Sequence, residues 1–337
     1  MWTGYKAAYN IVTGEPEPIA LDGKKKLYYM SHCCVEERGL NGNGLDAIDS
    51  VFRHEATAAN LEELERHMLD ASNLEFSKSE NDADEWSYDV ISQGEPGLFI
   101  FDGGTYSRGP LSIVQLDTYG EENTEEYRPT EDVSVIESCL QWNGEERVRV
   151  SVTLSSELLE IPGKEEPELD VCLLRVAIMR ETWEGISGQY CSTTQSESDA
   201  QDKINSGKTR IPRGEMNGFW NVFDIHVSRV EDVDMRTGEP AIIPIYSSQE
   251  FQRFFQSGEN VLGAQENECV LDGGALWLPH RVILQISTPV ASDSIGLEVS
   301  MLWSPSPGKS LTMTRRYSKT GSFIEACCST GIKISSK

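Results

Sequence analysis

Basic residues are scarce in this chain of 337 residues: 29 Lys+Arg stand against 55 Asp+Glu, a formal charge of −26. A phosphate backbone is bound by neutralising it with Lys and Arg, so the balance argues against a nucleic-acid partner. It equally disfavours adsorption to an anionic membrane surface. No run of 18 apolar residues occurs, so no membrane-spanning helix is expected. Met1-Trp2-Thr3-Gly4-Tyr5 has the pattern of neither a signal peptide nor an Arg/Ser-rich transit peptide, which suggests a mature or truncated form.

Catalytic and metal motifs are also missing. None of the eight cysteines forms a CxxC pair, the five histidines show no metal-ligand spacing, and there is no HExxH. No G-x-S-x-G elbow marks a serine hydrolase. Gly39-Leu40-Asn41-Gly42-Asn43-Gly44 lacks the Lys-Ser/Thr of a phosphate loop and reads as a turn. Acidic pairs are so common that no pair stands out as a glycosidase dyad. The sequence therefore nominates no catalytic, cofactor-binding or metal-binding residue, and the reading is non-enzymatic. The cysteines lie mostly in apolar runs such as Asp170-Val171-Cys172-Leu173-Leu174 and fit buried small hydrophobes in a reducing compartment. Cys33-Cys34 and Cys327-Cys328 would alternate across a strand, leaving one thiol of each pair exposed and open to a redox role.

What is present is period-2 alternation. Arg147–Leu154, Leu297–Met301 and Ser310–Thr314 alternate polar and apolar residues, as half-buried strands do. Further strands are expected at Trp2–Val12, Lys26–Glu36, Leu98–Phe101, Leu111–Leu116, Ser134–Gln141, Val171–Arg180, Trp220–Arg229, Ala241–Tyr246, Arg281–Ser287 and Phe323–Ile334. Regular spacing with Gly, Pro and Asn/Asp between them predicts an all-β barrel or sandwich. Two helices are expected to interrupt. One is Asn60–Asp70, with Leu61, Leu64 and Met68 as its stripe. The other follows the capping box Ser247-x-x-Glu250, ahead of Phe251, Phe254 and Phe255.

The charge is uneven. Residues 1–190 hold 38 acids and 15 bases, net −23, whereas residues 191–337 are at −3. The doublets Glu121-Glu122, Glu125-Glu126, Glu145-Glu146 and Glu165-Glu166 read as solvated loops or as a negative face that steers a basic partner. The polar stretch 185–212 reads as a linker. On either side of it the landmarks repeat. Trp2 precedes Thr13-Gly14-Glu15-Pro16 and Phe101-Asp102-Gly103-Gly104-Thr105; Trp220 precedes Thr237-Gly238-Glu239-Pro240 and Leu271-Asp272-Gly273-Gly274-Ala275. This predicts two units, 1–184 and 213–337, the first carrying an insertion at about 39–83 that includes the Leu61–Met68 helix.

Phe101-Asp102-Gly103-Gly104-Thr105-Tyr106-Ser107-Arg108-Gly109 resembles the F-x-x-G-x-[FY]-S-x-G stretch of a two-barrel calycin-like (lipocalin-like) family of cyanobacteria and plastids. Arg316-Tyr317-Ser318-Lys319-Thr320-Gly321-Ser322-Phe323 is similar to that family's R-x-Y-x-x-x-G-x-[WF] ending, with one residue fewer between Arg316 and Tyr317. The resemblance implies two tandem calycin β-barrels, with Tyr28, Phe99, Trp142, Trp220, Trp303 and Tyr317 as interior candidates. The family's plant member is a chloroplast biogenesis factor required for ATP synthase, a stromal chaperone of that enzyme's catalytic head that works through its β and γ subunits. The resemblance thus implies a stromal assembly factor that binds ATP synthase head subunits, without a cofactor. The alternative is a calycin-type carrier of a small hydrophobic ligand or tetrapyrrole (bilin), or a bilin lyase. No partner-contact residue is assigned by either.

Overall fold

The computed structural model describes residues 2–22, 25–39, 48–59, 87–91, 95–114, 133–160, 167–183, 210–233, 240–256, 268–270, 274–289 and 294–334. Among them the chain is all-β, apart from single 3-10 turns at Asp102–Gly104 and Arg213–Glu215. The first sheet contains β1 (Trp2–Tyr9), β2 (Pro18–Asp22), β3 (Lys25–Gly39), β4 (Ile48–Ala59) and β5 (Ser87–Ile91). It continues with β6 (Phe99–Ile100), β7 (Tyr106–Arg108), β8 (Val133–Trp142), β9 (Glu146–Leu159) and β10 (Glu168–Trp183). Its spatial order is β5-β4-β3-β1-β10-β9-β8-β7-β6, with β2 paired to β3. The second sheet contains β11 (Gly218–Val233), β12 (Pro240–Gln256), β13 (Glu268–Val270) and β14 (Ala275–Leu278). It is completed by β15 (Val282–Ser287), β16 (Ile295–Trp303), β17 (Lys309–Ser318) and β18 (Phe323–Lys333), in the order β13-β12-β11-β18-β17-β16-β15-β14.

The two sheets follow one plan. In each, five successive strands form a meander, β6–β10 or β14–β18, and the last pairs with the first strand of its half. The registers agree as well: Trp2 lies between Trp183 and Val35, and Trp220 lies between Lys333 and Arg253. Trp2 and Trp220 are therefore structural counterparts. The Asp-Gly-Gly landmarks do not correspond by sheet position. Phe101–Thr105 turns between β6 and β7, and by sheet position its counterpart is the β14–β15 turn, not Leu271–Ala275. There Gly103 and Gly104, both at positive φ, are matched by His280 (φ 62°) and Arg281 (φ 60°).

Closed barrels were the expectation, but the sheets are open. Among the described strands, no pairing joins β5 to β6 or β13 to β14. Three of these four end strands, β6, β13 and β14, have only two to four residues, too few for a sealing ladder. The region inserted in the first copy is partly strand, since β4 pairs with β3 from Tyr28↔Ala59 to Gly39↔Ile48. The expected helix at Asn60–Asp70 lies outside the described residues, as do 185–209 and Glu121, Glu122, Glu125 and Glu126.

The second expected helix is a strand. Ser247, Glu250, Phe251, Phe254 and Phe255 all belong to β12, which pairs with β11 from Gly218↔Phe255 to Val233↔Pro240. An i, i+4 pair also shares a face at period 2, so Phe251 and Phe255 pack together on the second sheet's core as strand residues. Tertiary pairing overrides the local cap signal. Leu111–Leu116, expected as a strand, contributes only the Ser112↔Ser322 bridge among the described residues.

One hydrophobic core spans both sheets. It joins Ala7, Phe99, Ile136, Val152 and Ile178 of the first to Leu284, Val299, Met313 and Tyr317 of the second. Backbone bonds from Ile113 N to Gly321 O (2.9 Å) and from Phe323 N to Leu111 O (2.7 Å) stitch the same junction.

Candidate functional site

Strand alternation sends Lys6 and Ala8 of β1, Arg175 and Ala177 of β10, Ser151 and Thr153 of β9, and Val135 and Glu137 of β8 to one face of the first sheet. With Glu95–Pro96 and Arg108–Pro110 they line a half-open cup of about 560 Å³. Its polar groups include three cations, Lys6, Arg108 and Arg175. Arg108 donates to Glu95 at 2.6 Å.

A buried ionic layer supports this cup. Glu181 is fully buried and accepts from Arg147 Nε (2.6 Å) and from Arg149 Nε and Nη2 (3.0 Å each). Arg149 Nη1 also reaches Glu137 Oε1 at 3.3 Å. Glu137 accepts from the Tyr106 hydroxyl at 2.5 Å and from the Ser151 hydroxyl at 3.1 Å. Two guanidiniums thus face two carboxylates, and the Arg147 guanidinium lies 4.3 Å over the Trp2 ring. Burial pushes the Glu137 carboxyl upward, but Arg149 and the Tyr106 hydroxyl outweigh it and hold the group at about 2. Glu181 is lowered in the same way: burial opposes ionisation and Arg147 and Arg149 overcome it. Burial and the Glu137 charge push Tyr106 well above its ordinary value, so its proton stays available to donate.

Register places different chemistry on the equivalent face of the second sheet. The counterparts of Lys6, Ala8, Arg175 and Ala177 are Asp224, His226, Glu325 and Cys327. Asp224 Oδ2 lies 3.8 Å from His226 Nε2, and Cys327 Sγ lies 3.8 Å from the same nitrogen. Glu325 Oε2 is 3.4 Å from His226 Nδ1. All three donor atoms of Asp224, His226 and Cys327 fall within 4.8 Å of one another. Asp224 is 2% exposed, and its Oδ1 has no hydrogen-bond partner. Burial, and then the Asp224 charge, push the Cys327 thiol up to about 12. Arg316 bridges Glu298 (2.7 Å) and Glu325 beside the cluster. Trp220 is buried in the core adjoining this face, donating Nε1 to Met216 O at 2.8 Å.

Arg315 joins the halves. Fully buried, it donates to Tyr317 Oη (2.7 Å), Gly97 O (3.0 Å), Ser107 Oγ (3.2 Å), Gly109 O (2.9 Å) and Pro110 O (3.0 Å). These five acceptors match the five N–H groups of a guanidinium. Tyr317 donates in turn to Pro110 O at 3.0 Å. The guanidinium also lies 4.6 Å from the Phe323 ring centre, and Phe323 stacks on Phe99 at 4.8 Å. Gly97 (φ 86°) must be glycine, because a Cβ there would sit 2.0 Å from Gly109 O. The two stretches that carry the family resemblance, far apart in sequence, therefore meet at one side chain.

Of the interior aromatics expected from sequence, Phe99, Trp303 and Tyr317 lie in the core shared by the sheets and Trp220 in the second sheet's own core. Trp142 is half-buried beneath Lys309, whose Nζ lies 4.7 Å from its ring centre, and Tyr28 sits in β3. Cys327 and Cys328 are both buried, against the expectation of one exposed thiol, because β18 is covered on both faces at Ala326–Ser329. Cys327 turns to the His226 cluster and Cys328 to the shared core. Sequence reasoning names none of Arg147, Arg149, Glu181, Arg315, Asp224 or His226 as part of a site, and offers Cys327 only as half of a redox-capable pair. The signals present were the alternation Arg147-x-Arg149 and Asp224-x-His226, each putting two polar side chains on one strand face.

The fold defines the class: an all-β protein built from a repeated antiparallel sheet around a shared core. No family model and no curated protein matches the chain. Among solved structures it is similar to a protein of unknown function from the DUF3598 family of the cyanobacterium Nostoc punctiforme. That match has 14% identity and a TM-score of 0.48, covering 99% of this chain and 95% of the other.

Proposed function

We propose that this protein is a non-enzymatic binding scaffold that holds another protein on the outer face of its second sheet. The observation that carries this reading is an apolar strip. Phe219 and Phe223 of β11 and Ile332 of β18 are 57%, 44% and 57% exposed on one sheet face, and Phe254 packs on Phe219 at 4.8 Å. Side chains of this size exposed together mark interaction surfaces more often than solvent-facing sheet. The resemblance to the two-barrel calycin-like family narrows the proposal to an assembly factor for the catalytic head of ATP synthase in the chloroplast stroma. Purified β and γ subunits, offered separately at low salt, should be captured. Phe219→Ser with Phe223→Ser should abolish capture while leaving stability within about 1 kcal/mol, since both side chains are largely exposed. Failure of the wild-type protein to capture either subunit overturns the reading.

A second reading rests on the first cup. A cavity of about 560 Å³, with Lys6, Arg108 and Arg175 around an Ala8, Val135 and Ala177 surface, suits a small amphipathic carboxylate. Linear tetrapyrroles, with their propionates, belong to that class. Saturable binding of a fatty acid or bilin, weakened at least tenfold by Lys6→Glu with Arg175→Glu, supports it. Absence of saturable binding across such a panel refutes it.

A further inference from the structure

We propose that Asp224, His226 and Cys327 form a binding site for a zinc-class divalent cation on the equivalent face of the second sheet. The three residues come from neighbouring strands, with His226↔Cys327 directly opposed and Asp224 two residues from His226 on the same face. Carboxylate oxygen, imidazole nitrogen and thiol sulfur are the donor set that zinc prefers, and a tetrahedral zinc holds such donors ~3.3–3.6 Å apart. The two 3.8 Å separations at His226 Nε2 require only a few tenths of an ångström of closure.

Two independent observations point to a ligand rather than a chance cluster. The first is Asp224 Oδ1, buried without a hydrogen-bond partner although its side chain is 3% exposed. A buried carboxylate oxygen left unsatisfied is costly, and a cation held by both oxygens of the carboxylate would remove that cost. The second is the other side of the imidazole. Glu325 Oε2 lies 3.4 Å from Nδ1, while Asp224 and Cys327 lie on the Nε2 side of the ring. A carboxylate behind a histidine is the arrangement that orients metal ligands and raises their basicity. Arg253 Nη2, 3.7 Å from Asp224 Oδ2, is the competing cation, and that distance is longer than a direct charge-assisted hydrogen bond. Gln249, whose Nε2 lies 3.1 Å from His226 Nε2, stands on the open side. Rotating its amide offers an oxygen as fourth donor; otherwise water takes that position. On binding, the Cys327 thiol gives its proton to solvent and the thiolate coordinates.

The test is titration of the full chain, reduced and metal-free, with Co(II) and then Zn(II). The expected result is a thiolate-to-cobalt charge-transfer band with tetrahedral visible bands, saturating at one cobalt per chain and bleached by zinc. Cys327→Ser should abolish the charge-transfer band, whereas Cys172→Ser, at the exposed cysteine, should leave it intact. Glu325→Gln should weaken binding by about 10–100-fold. Each variant's far-UV circular dichroism confirms that it is folded; if Cys327→Ser does not fold, Asp224→Asn replaces it and should lower affinity at least tenfold. No band from the wild-type chain, or a one-equivalent band that survives both Cys327→Ser and Asp224→Asn, overturns the proposal.

Discussion

Equivalent faces in two copies of one sheet hold opposite chemistry. In the first, Lys6 and Arg175 face a cavity above a closed Arg–Glu layer; in the second, Asp224 and Glu325 occupy the matching positions beside a histidine and a thiol. The half that carries nearly all of the net negative charge thus has the cationic face, and the nearly neutral half has the acidic one. Net charge is set by loops and outer faces. Site chemistry is set by a few inward positions, and the two vary independently. The comparison extends to the joint. Arg315 and Tyr317 stand where the first copy has Val152 and Leu154, so the second copy grips the first through positions that are apolar in the first.

The joint is where the comparison breaks most easily. Arg315→Met should leave Gly97, Ser107, Gly109 and Pro110 with unsatisfied acceptors and cost about 5 kcal/mol or more. Denaturant unfolding with one fluorescence probe in each sheet should then show two separated transitions in place of one.

Next in size is the ionic layer of the first cup. Glu181→Gln leaves two buried guanidiniums short of charge and should cost about 3–5 kcal/mol. The second copy has Gly331 at the matching position, so no equivalent loss exists there. A destabilisation below about 1 kcal/mol would show that the layer is not closed as described.

A smaller, pH-dependent effect separates the copies further. His280, at the turn matching Gly103, shares a 3.0 Å hydrogen bond with Tyr9 across the two sheets. Burial, aided by the Arg180 charge, lowers it from 6.5 to about 3. The unfolded chain therefore takes up a proton that the fold excludes, and stability should fall as pH drops from 6.5 towards 3. Glu137, lowered from 4.5 to about 2, adds a second loss between those values. His280→Gln should flatten the first limb, between pH 6.5 and 4.5, and leave the second. An unchanged profile would mean that the imidazole is not held neutral.

Much of the fold was legible and little of the site. Strands such as β9 and β16 announced themselves because apolar residues recur at every second position along them, although in β9 the intervening Arg147 and Arg149 are buried as well. β12 was misread because Phe251 and Phe255 satisfy both periods. The repeat was found through Trp2 and Trp220, whose register agrees, while the Asp-Gly-Gly landmarks misled because such turns recur at many strand ends. Openness of the sheets depends on which end strands pair, and local pattern does not encode that. The sites were hidden for the same reason. His226 and Cys327 lie about 100 residues apart and meet only because β11 pairs with β18. Arg315 looked like the surface neighbour of Arg316, since nothing local says which of two adjacent arginines turns inward.

The most direct measurement of opposite chemistry on the two faces is anomalous scattering from crystals soaked with zinc and a bromine-tagged amphipathic carboxylate. The account predicts zinc among Asp224, His226 and Cys327, and bromine in the first cup near Lys6 and Arg175. Both peaks on one face, or zinc on the first and bromine on the second, would contradict it.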